Sequence, residues 1–283
     1  MGIDLLLTMI DYCDQMYDDY QCGICTGHNC THNCKDCLDD IHYHYNNIRT
    51  EYNCERLLYY YLCRYSMKYC SEIAYALDSI NLGRYPYFKI LSLGCGGAAD
   101  LMAFDYILDS DEKIIYHGVD INTYWNDIHA KISEVYPYAS FTTGFNVKCD
   151  IPTLSNESYN VVIIEYLISY LYSRRTTVVS KLFDDLIECI VSNKSHDSPM
   201  LIIINDVDSI NTGRDEFVKL ANKLNQLRYN ISVQKLRFKV DSYYSNSILH
   251  SSNQNLFNCS WEFQQKYCVA LRCESAQLII EID

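Results

Sequence analysis

The chain has 283 residues, 49% of them hydrophobic, enough for one large domain and a small one with ample core. Its formal net charge of −13 opposes non-specific association with nucleic acid, and no apolar run approaches the roughly 18–20 residues of a membrane span. The N-terminal run MGIDLLLTMIDYCDQ has an acidic rather than a basic flank, so neither a secretory signal nor a membrane anchor is expected, and the cytoplasm is the expected compartment.

Residues 1–50 read as a cysteine- and histidine-rich module. Nine of the 15 cysteines fall within the first 70 residues, and without a secretory signal metal ligation is preferred to disulfides. Cys22-x2-Cys25 and Cys34-x2-Cys37 form two CxxC knuckles separated by eight residues, which predicts a tetrahedral zinc site on Cys22, Cys25, Cys34 and Cys37. Reduced, unliganded cysteines are the plainer alternative. Cys30-x3-Cys34-x2-Cys37 also has the CxxxCxxC spacing of radical S-adenosylmethionine enzymes, whose thiolates hold an iron–sulfur cluster. Asp36 stands where that family usually has an aromatic residue, and no strand precedes Cys30, so zinc is preferred. Residues 1–45 carry eight Asp against Lys35 alone, an acidic surface suited to a protein partner.

Residues 51–84 follow as a connecting amphipathic helix. Over Tyr52–Ile80 the apolar positions Leu58, Leu62, Tyr65, Tyr69, Ile73 and Leu77 recur at three- and four-residue steps. Tyr59, Tyr60, Tyr61 and Tyr65 interleave with Arg56, Arg64 and Lys68. They either pack this helix on the next domain with their hydroxyls at its margin, the preferred reading, or face a substrate.

In KILSLGCGGAAD, Lys89–Asp100, a strand over Ile90, Leu91 and Leu93 enters a turn built from Gly94, Cys95, Gly96 and Gly97, and an apolar helix opens at Ala98. Asp120, in YHGVDI, ends a second strand 26 positions after Gly94, a spacing that suits a βαβ unit whose acid grips ribose hydroxyls. Ser140–Thr143, Tyr159–Tyr166 and Met200–Asp206 read as further strands, a helix is expected over Arg214–Leu227, and Ile231–Val240 with Tyr267–Glu274 read as a closing antiparallel hairpin. Ser192–Ser198 and Ser242–Asn258 are polar loops, the second long enough to act as a lid.

LSLGCGGAADL resembles motif I of the class I S-adenosylmethionine-dependent methyltransferases, and Asp120 sits where that family keeps its ribose-binding acid. Ser92 stands at a position often acidic in the family, and Ala98 replaces its last loop glycine. Asp100, one turn into the helix, and Trp125 also match a subset of the family. The likeness runs from Tyr85 to Glu274 in order of elements. It implies an α/β, Rossmann-like seven-stranded sheet with helices on both faces over residues 85–283. It further implies S-adenosylmethionine as cofactor, held by Gly94, Cys95, Gly96, Gly97, Asp100, Asp120, Ile121, Asp150, Ile151 and Glu165, with Asp150 accepting from the adenine amino group.

Gly94, Gly96 and Ala99 also satisfy GxGxxG/A, so a nicotinamide enzyme is the rival within this topology; the order of the later elements favours the methyltransferase. Methyl transfer draws much of its rate from proximity and orientation, so a dedicated base is optional. Glu165 and Tyr166 after the fourth strand, with Asn205 and Asp206 after the fifth, are the polar groups expected beside the acceptor, and Glu165 and Tyr166 are the candidate catalytic residues. The segment Ile164-Glu165-Tyr166-Leu167 lacks the Asn/Asp-Pro-Pro-Tyr motif of base-amine and glutamine methyltransferases, and no Pro-Cys pair supports cytosine-C5 methylation. Protein, RNA or a small molecule remains open as acceptor. The alternative from another class is a binding scaffold that keeps the fold, uses the metal module for a partner and has lost turnover.

Overall fold

The computed structural model describes residues 4–19, 33–43, 52–108, 114–174, 176–195, 197–242 and 244–283. Three helices come first: α1 (Leu5–Asp19), α2 (Cys34–Tyr43) and α3 (Glu55–Asp78). The chain then alternates β1 (Phe88–Leu93), α4 (Ala99–Ile107), β2 (Ile114–Asp120), α5 (Asn126–Val135), β3 (Ala139–Thr143) and β4 (Val161–Glu165). It continues with α6 (Ile168–Arg174), α7 (Thr176–Cys189), β5 (Met200–Val207), α8 (Phe217–Gln226), β6 (Ile231–Arg237), β7 (Ile248–Leu249), α9 (Trp261–Tyr267) and β8 (Ser275–Ile282).

The strands form one mixed sheet in the order β3-β2-β1-β4-β5-β8-β6-β7. β1 to β5 are parallel, and β8 runs antiparallel between β5 and β6. Strands buried on both faces read as continuous apolar runs, and in β4 Val161 and Ile163 join the core on one face while Val162 and Ile164 join the other. The first core packs β1 and β4 against α1, α2, α3, α4 and α5; the second packs them against α6, α7 and α8. Successive crossovers run from β1 outward to β3, then reverse to β4 and β5. The crevice at this switch point, above the carboxyl ends of β1 and β4, is where such sheets bind ligands.

Three expectations from the sequence are corrected. The sheet has eight strands rather than seven, because Ile248–Leu249, within the expected polar loop, pairs in parallel with Leu236 and Arg237 at the edge. The closing strand is not Tyr267–Glu274 but Ser275–Ile282. Ser260 caps α9 by accepting the Phe263 N–H at 3.2 Å, and Cys268 ends it in left-handed backbone at φ 49°, so the alternation at 267–274 never reaches the sheet. SAQLIIEI is buried almost throughout because it lies between two strands. The helix expected over Arg214–Leu227 differs in kind at its first turn: Arg214–Glu216 is a 3-10 turn that leads into α8 at Phe217, and Arg214 pairs with Asp208 at 2.9 Å.

No helix among the described residues is long and apolar enough to cross a membrane. Cys22, Cys25 and Cys30 lie outside the described residues. Cys34 and Cys37 stand one turn apart on α2, 3% and 7% exposed, and no group of three or more metal-ligating side chains occurs among the described residues.

Candidate functional site

β1 delivers the chain into a turn that demands left-handed backbone at Gly94 (φ 70°), Gly96 (φ 49°) and Ala98 (φ 57°). At Ala98 this costs about 1 kcal/mol that glycine would not incur. The turn is anchored to the end of β2: Gly94 and Cys95 N–H both donate to the Val119 carbonyl, at 2.8 and 3.1 Å. Gly96 N–H donates to Asp120 Oδ2 at 3.0 Å, and Asp120 Oδ1 accepts from Asn122 N–H at 2.8 Å. Below the turn, His129 Nε2 meets the Gly96 carbonyl at 2.7 Å while its ring stacks on Phe141 at 4.1 Å. Burial holds this imidazole neutral, its pKa lowered to about 4.

α3 closes the turn from above. A Cβ on Gly97 would lie 3.0 Å from Leu62 Cδ1, so a larger residue there would have to push the Leu62 methyl aside by a few tenths of an ångström. Between the turn, α3 and the end of β4 lies a cleft of about 470 Å³, counted out to open solvent. Ser92, Gly94, Cys95, Gly96 and Gly97 form its floor, with Ala99 and Asp100 of α4. Tyr61, Ser66 and Tyr69 of α3 form one wall and Glu165 with Tyr166 the other.

Asp100 is 1% exposed. Its Oδ1 accepts from the Tyr116 hydroxyl at 2.9 Å, and its Oδ2 has no partner. Burial raises its pKa, against the pull of the Ser92 and Tyr116 hydroxyls and of the backbone N–H groups of Leu101 and Asp100. Glu165 accepts from Asn205 Nδ2 at 2.9 Å, and burial together with the charges of Asp100 and Glu72 pushes its pKa well above the carboxylate range. Tyr166 holds left-handed backbone at φ 50°, uncommon for a side chain of its size, and its ring lies 4.3 Å from that of Tyr69.

Of the residues expected from the sequence to bind cofactor or act in catalysis, Gly94, Cys95, Gly96, Gly97, Asp100, Glu165 and Tyr166 meet around this cleft, and Asp120 borders it through Gly96. Ile121 is 57% exposed, Asp150 accepts from Asn146 N–H at 2.7 Å, and Ile151 is buried; none of the three lines the cleft. Asn205 and Asp206 are buried behind it, Asp206 with its pKa raised to about 6 by burial.

The α3 tyrosines divide. Tyr59 and Tyr60 are packing residues, Tyr59 donating to Asp127 Oδ2 at 2.7 Å, whereas Tyr61 and Tyr69 face the cleft. Glu72, fully buried on α3, is the functional neighbour that sequence reasoning missed. It accepts from the Tyr166 hydroxyl at 2.8 Å, Asn205 Nδ2 at 3.1 Å, Glu274 N–H at 2.8 Å and Ser275 N–H at 3.2 Å. Its signal was a carboxylate beside the apolar stripe, three residues after Tyr69 and one before Ile73.

No protein-family profile matches the chain, and no curated protein matches it. Among solved structures it is similar to the plantazolicin methyltransferase BpumL in complex with SAH, at 11% identity and a TM-score of 0.49, over 98% of this chain and 99% of that one. It is also similar to a SAM dependent methyltransferase from Aquifex aeolicus (9% identity, TM-score 0.47, 79% of this chain and 96% of that one). A SAM dependent methyltransferase from Archaeoglobus fulgidus gives 15% identity and a TM-score of 0.43 over 75% of this chain and 94% of that one.

Proposed function

We propose that the chain is an S-adenosylmethionine-dependent methyltransferase. The observation that carries this is the charge of the cleft: Asp100 and Glu165 are the only charged groups among the described residues lining it, and Asp100 Oδ2 is buried without a partner. An orphaned carboxylate oxygen in such a place calls for a cationic donor. S-adenosylmethionine brings an ammonium and a sulfonium against one carboxylate of its own, a net positive charge, whereas the pyrophosphate of a nicotinamide dinucleotide would bring only negative charge to two carboxylates. Asp100 thus supplies the carboxylate that Ser92, at the end of β1, does not.

When bound, the cofactor supplies an electrophilic methyl group. Around it the chain's own residues bind and orient. The Gly94–Gly97 turn permits close backbone approach, and Asp120, whose oxygens retain further acceptor capacity, takes the ribose hydroxyls. Asp100 takes the ammonium. Asp150, Ile121 and Ile151 would flank the adenine only from beyond the cleft's present lining. Glu165 and Tyr166 stand at the acceptor side, Tyr166 held by Glu72 and Asn205.

Titration with S-adenosylmethionine and S-adenosylhomocysteine tests this directly. Micromolar binding of both, with methyl transfer to a component of cell extract, supports the enzyme; binding without any turnover supports the scaffold alternative; absence of binding rejects both.

The N-terminal module is proposed to hold zinc through Cys22, Cys25, Cys34 and Cys37 and to meet a protein partner through its acidic surface. Support comes from Cys34 and Cys37, which the helical spacing of α2 sets one turn apart on its buried side. Elemental analysis of dialysed protein should find about one zinc per chain; iron with acid-labile sulfide would instead assign Cys30, Cys34 and Cys37 to a cluster.

A further inference from the structure

The cleft is distinguished by its charge and its ring faces. No Lys, Arg or His is among the described residues that line it. The nearest cation, Lys68, is 3.8 Å from Glu72 Oε1, so its charge is already matched. If Asp100 receives the cofactor's ammonium, Glu165 faces the acceptor, and Lys68, the cation that acts on it, is shared with Glu72, so carboxylates outnumber cations there.

The surrounding walls are aromatic. Tyr61 packs at 6.0 Å from Trp125 on the turn side and 6.1 Å from Tyr69, and Tyr69 packs at 4.3 Å from Tyr166 on the β4 side. These rings already attract one cation, Lys68 Nζ lying 5.5 Å from the Tyr69 centroid and 5.2 Å from that of Tyr166. Aromatic faces around a carboxylate favour an ammonium over an anion or a neutral group of the same shape. Acceptors that bring only negative charge, such as phosphates and nucleic acid, would find no Lys, Arg or His in the described lining to receive them.

We infer that the methyl acceptor, granted the S-adenosylmethionine site proposed above, is an amine that enters as its ammonium ion between the Glu165 carboxylate and the faces of Tyr61, Tyr69 and Tyr166. An ammonium has no lone pair, so a proton must leave first. Glu165 accepts that proton. The freed nitrogen pair then forms the N–CH3 bond as the S–CH3 bond breaks, its electrons remaining on sulfur as a thioether. The positive charge passes from sulfonium to methylated ammonium, and Glu165 is left protonated. Burial and the neighbouring carboxylates raise its pKa, so Glu165 ionises as the charge of the incoming ammonium favours its carboxylate, and it then serves as the base for this step.

The test compares choline with 3,3-dimethylbutan-1-ol, which has the same shape without the charge, by calorimetric titration of the full chain saturated with S-adenosylhomocysteine. Choline should bind at least about tenfold more tightly. Glu165→Gln should reduce that preference to under about threefold, and Tyr69→Leu should reduce it in part, each variant's folding being checked by its melting temperature. If Glu165→Gln does not fold, Tyr69→Leu carries the comparison. Equal affinity for the two probes, or no choline binding by protein that binds S-adenosylhomocysteine, overturns the amine assignment. Failure to bind S-adenosylhomocysteine overturns the cofactor site instead.

Discussion

Asp120 tethers the turn through Gly96 and Asn122, and in the proposed function its remaining acceptor capacity goes to a ribose. Asp120→Ala should weaken S-adenosylmethionine binding by roughly ten- to a hundredfold, the equivalent of a lost charge-assisted bond of ~1.5–3 kcal/mol, as read by calorimetry. An unchanged dissociation constant in the folded variant would refute the assignment. Asp100 behaves oppositely without ligand. Its buried, half-satisfied carboxylate destabilises the free protein, so Asp100→Asn should raise the ligand-free stability by about 1–3 kcal/mol while weakening both S-adenosylmethionine and its demethylated product. A variant that melts lower and binds equally well would remove Asp100 from the site. His129 sets a pH dependence. Its folded pKa of about 4 lies below the unfolded value of 6.5, so the unfolded chain binds more protons between those limits and stability falls as pH drops through them. Lowering the pH from 6.5 to 5 should cost ~2 kcal/mol from this residue, a loss that His129→Phe should abolish in urea titrations at the two pH values.

At the scale of elements, α3 acts as both roof and rivet. Its Leu62 closes over Gly97, its Tyr61 and Tyr69 wall the cleft, and its Glu72 ties the ends of β4, β5 and β8 together. Glu72→Ala would strand the Lys68 ammonium, the Tyr166 hydroxyl and two backbone N–H groups. Denaturant unfolding should show a loss of about 3–5 kcal/mol, the usual cost of breaking a buried charge pair from one side. Glu72→Gln keeps one acceptor and should lose less. The periodicity of 52–80 announced this helix, but its role was hidden, because one side of a helix looks the same whether its hydroxyls meet core, solvent or cleft. The strand at 275–282 was missed for a related reason: alternation at 267–274 and a nearly continuous apolar run after it both describe strands, and only pairing between β5 and β6 separates them.

For the whole molecule, the N-terminal helices are part of the domain's packing. Leu5, Leu6, Met9, Ile10 and Cys13 of α1 share one core with α3, α4 and β1, and Tyr12 donates to Asp127 of α5 at 2.5 Å. Burying five such side chains contributes ~7 kcal/mol or more, comparable to the net stability of an ordinary domain. Deleting residues 1–50 should therefore leave a chain that aggregates or melts well below the full protein. A truncated chain with an unaltered melting curve would show that residues 51–283 stand alone.

The sequence by itself determined the parallel half of the sheet, the turn after β1 and the acid after β2, because continuous apolar runs and glycines with required left-handed backbone are local properties. It also named polar side chains at the strand ends, Asp120, Glu165 and Asn205 among them. Only the tertiary structure decided which of them meet. The cleft forms where α3, the helix before β1, folds across the switch point to the end of β4, remote from it in sequence, so the convergence of Tyr61, Tyr69, Asp100, Glu165 and Tyr166, and the central place of Glu72, follows from long-range packing that no periodicity encodes.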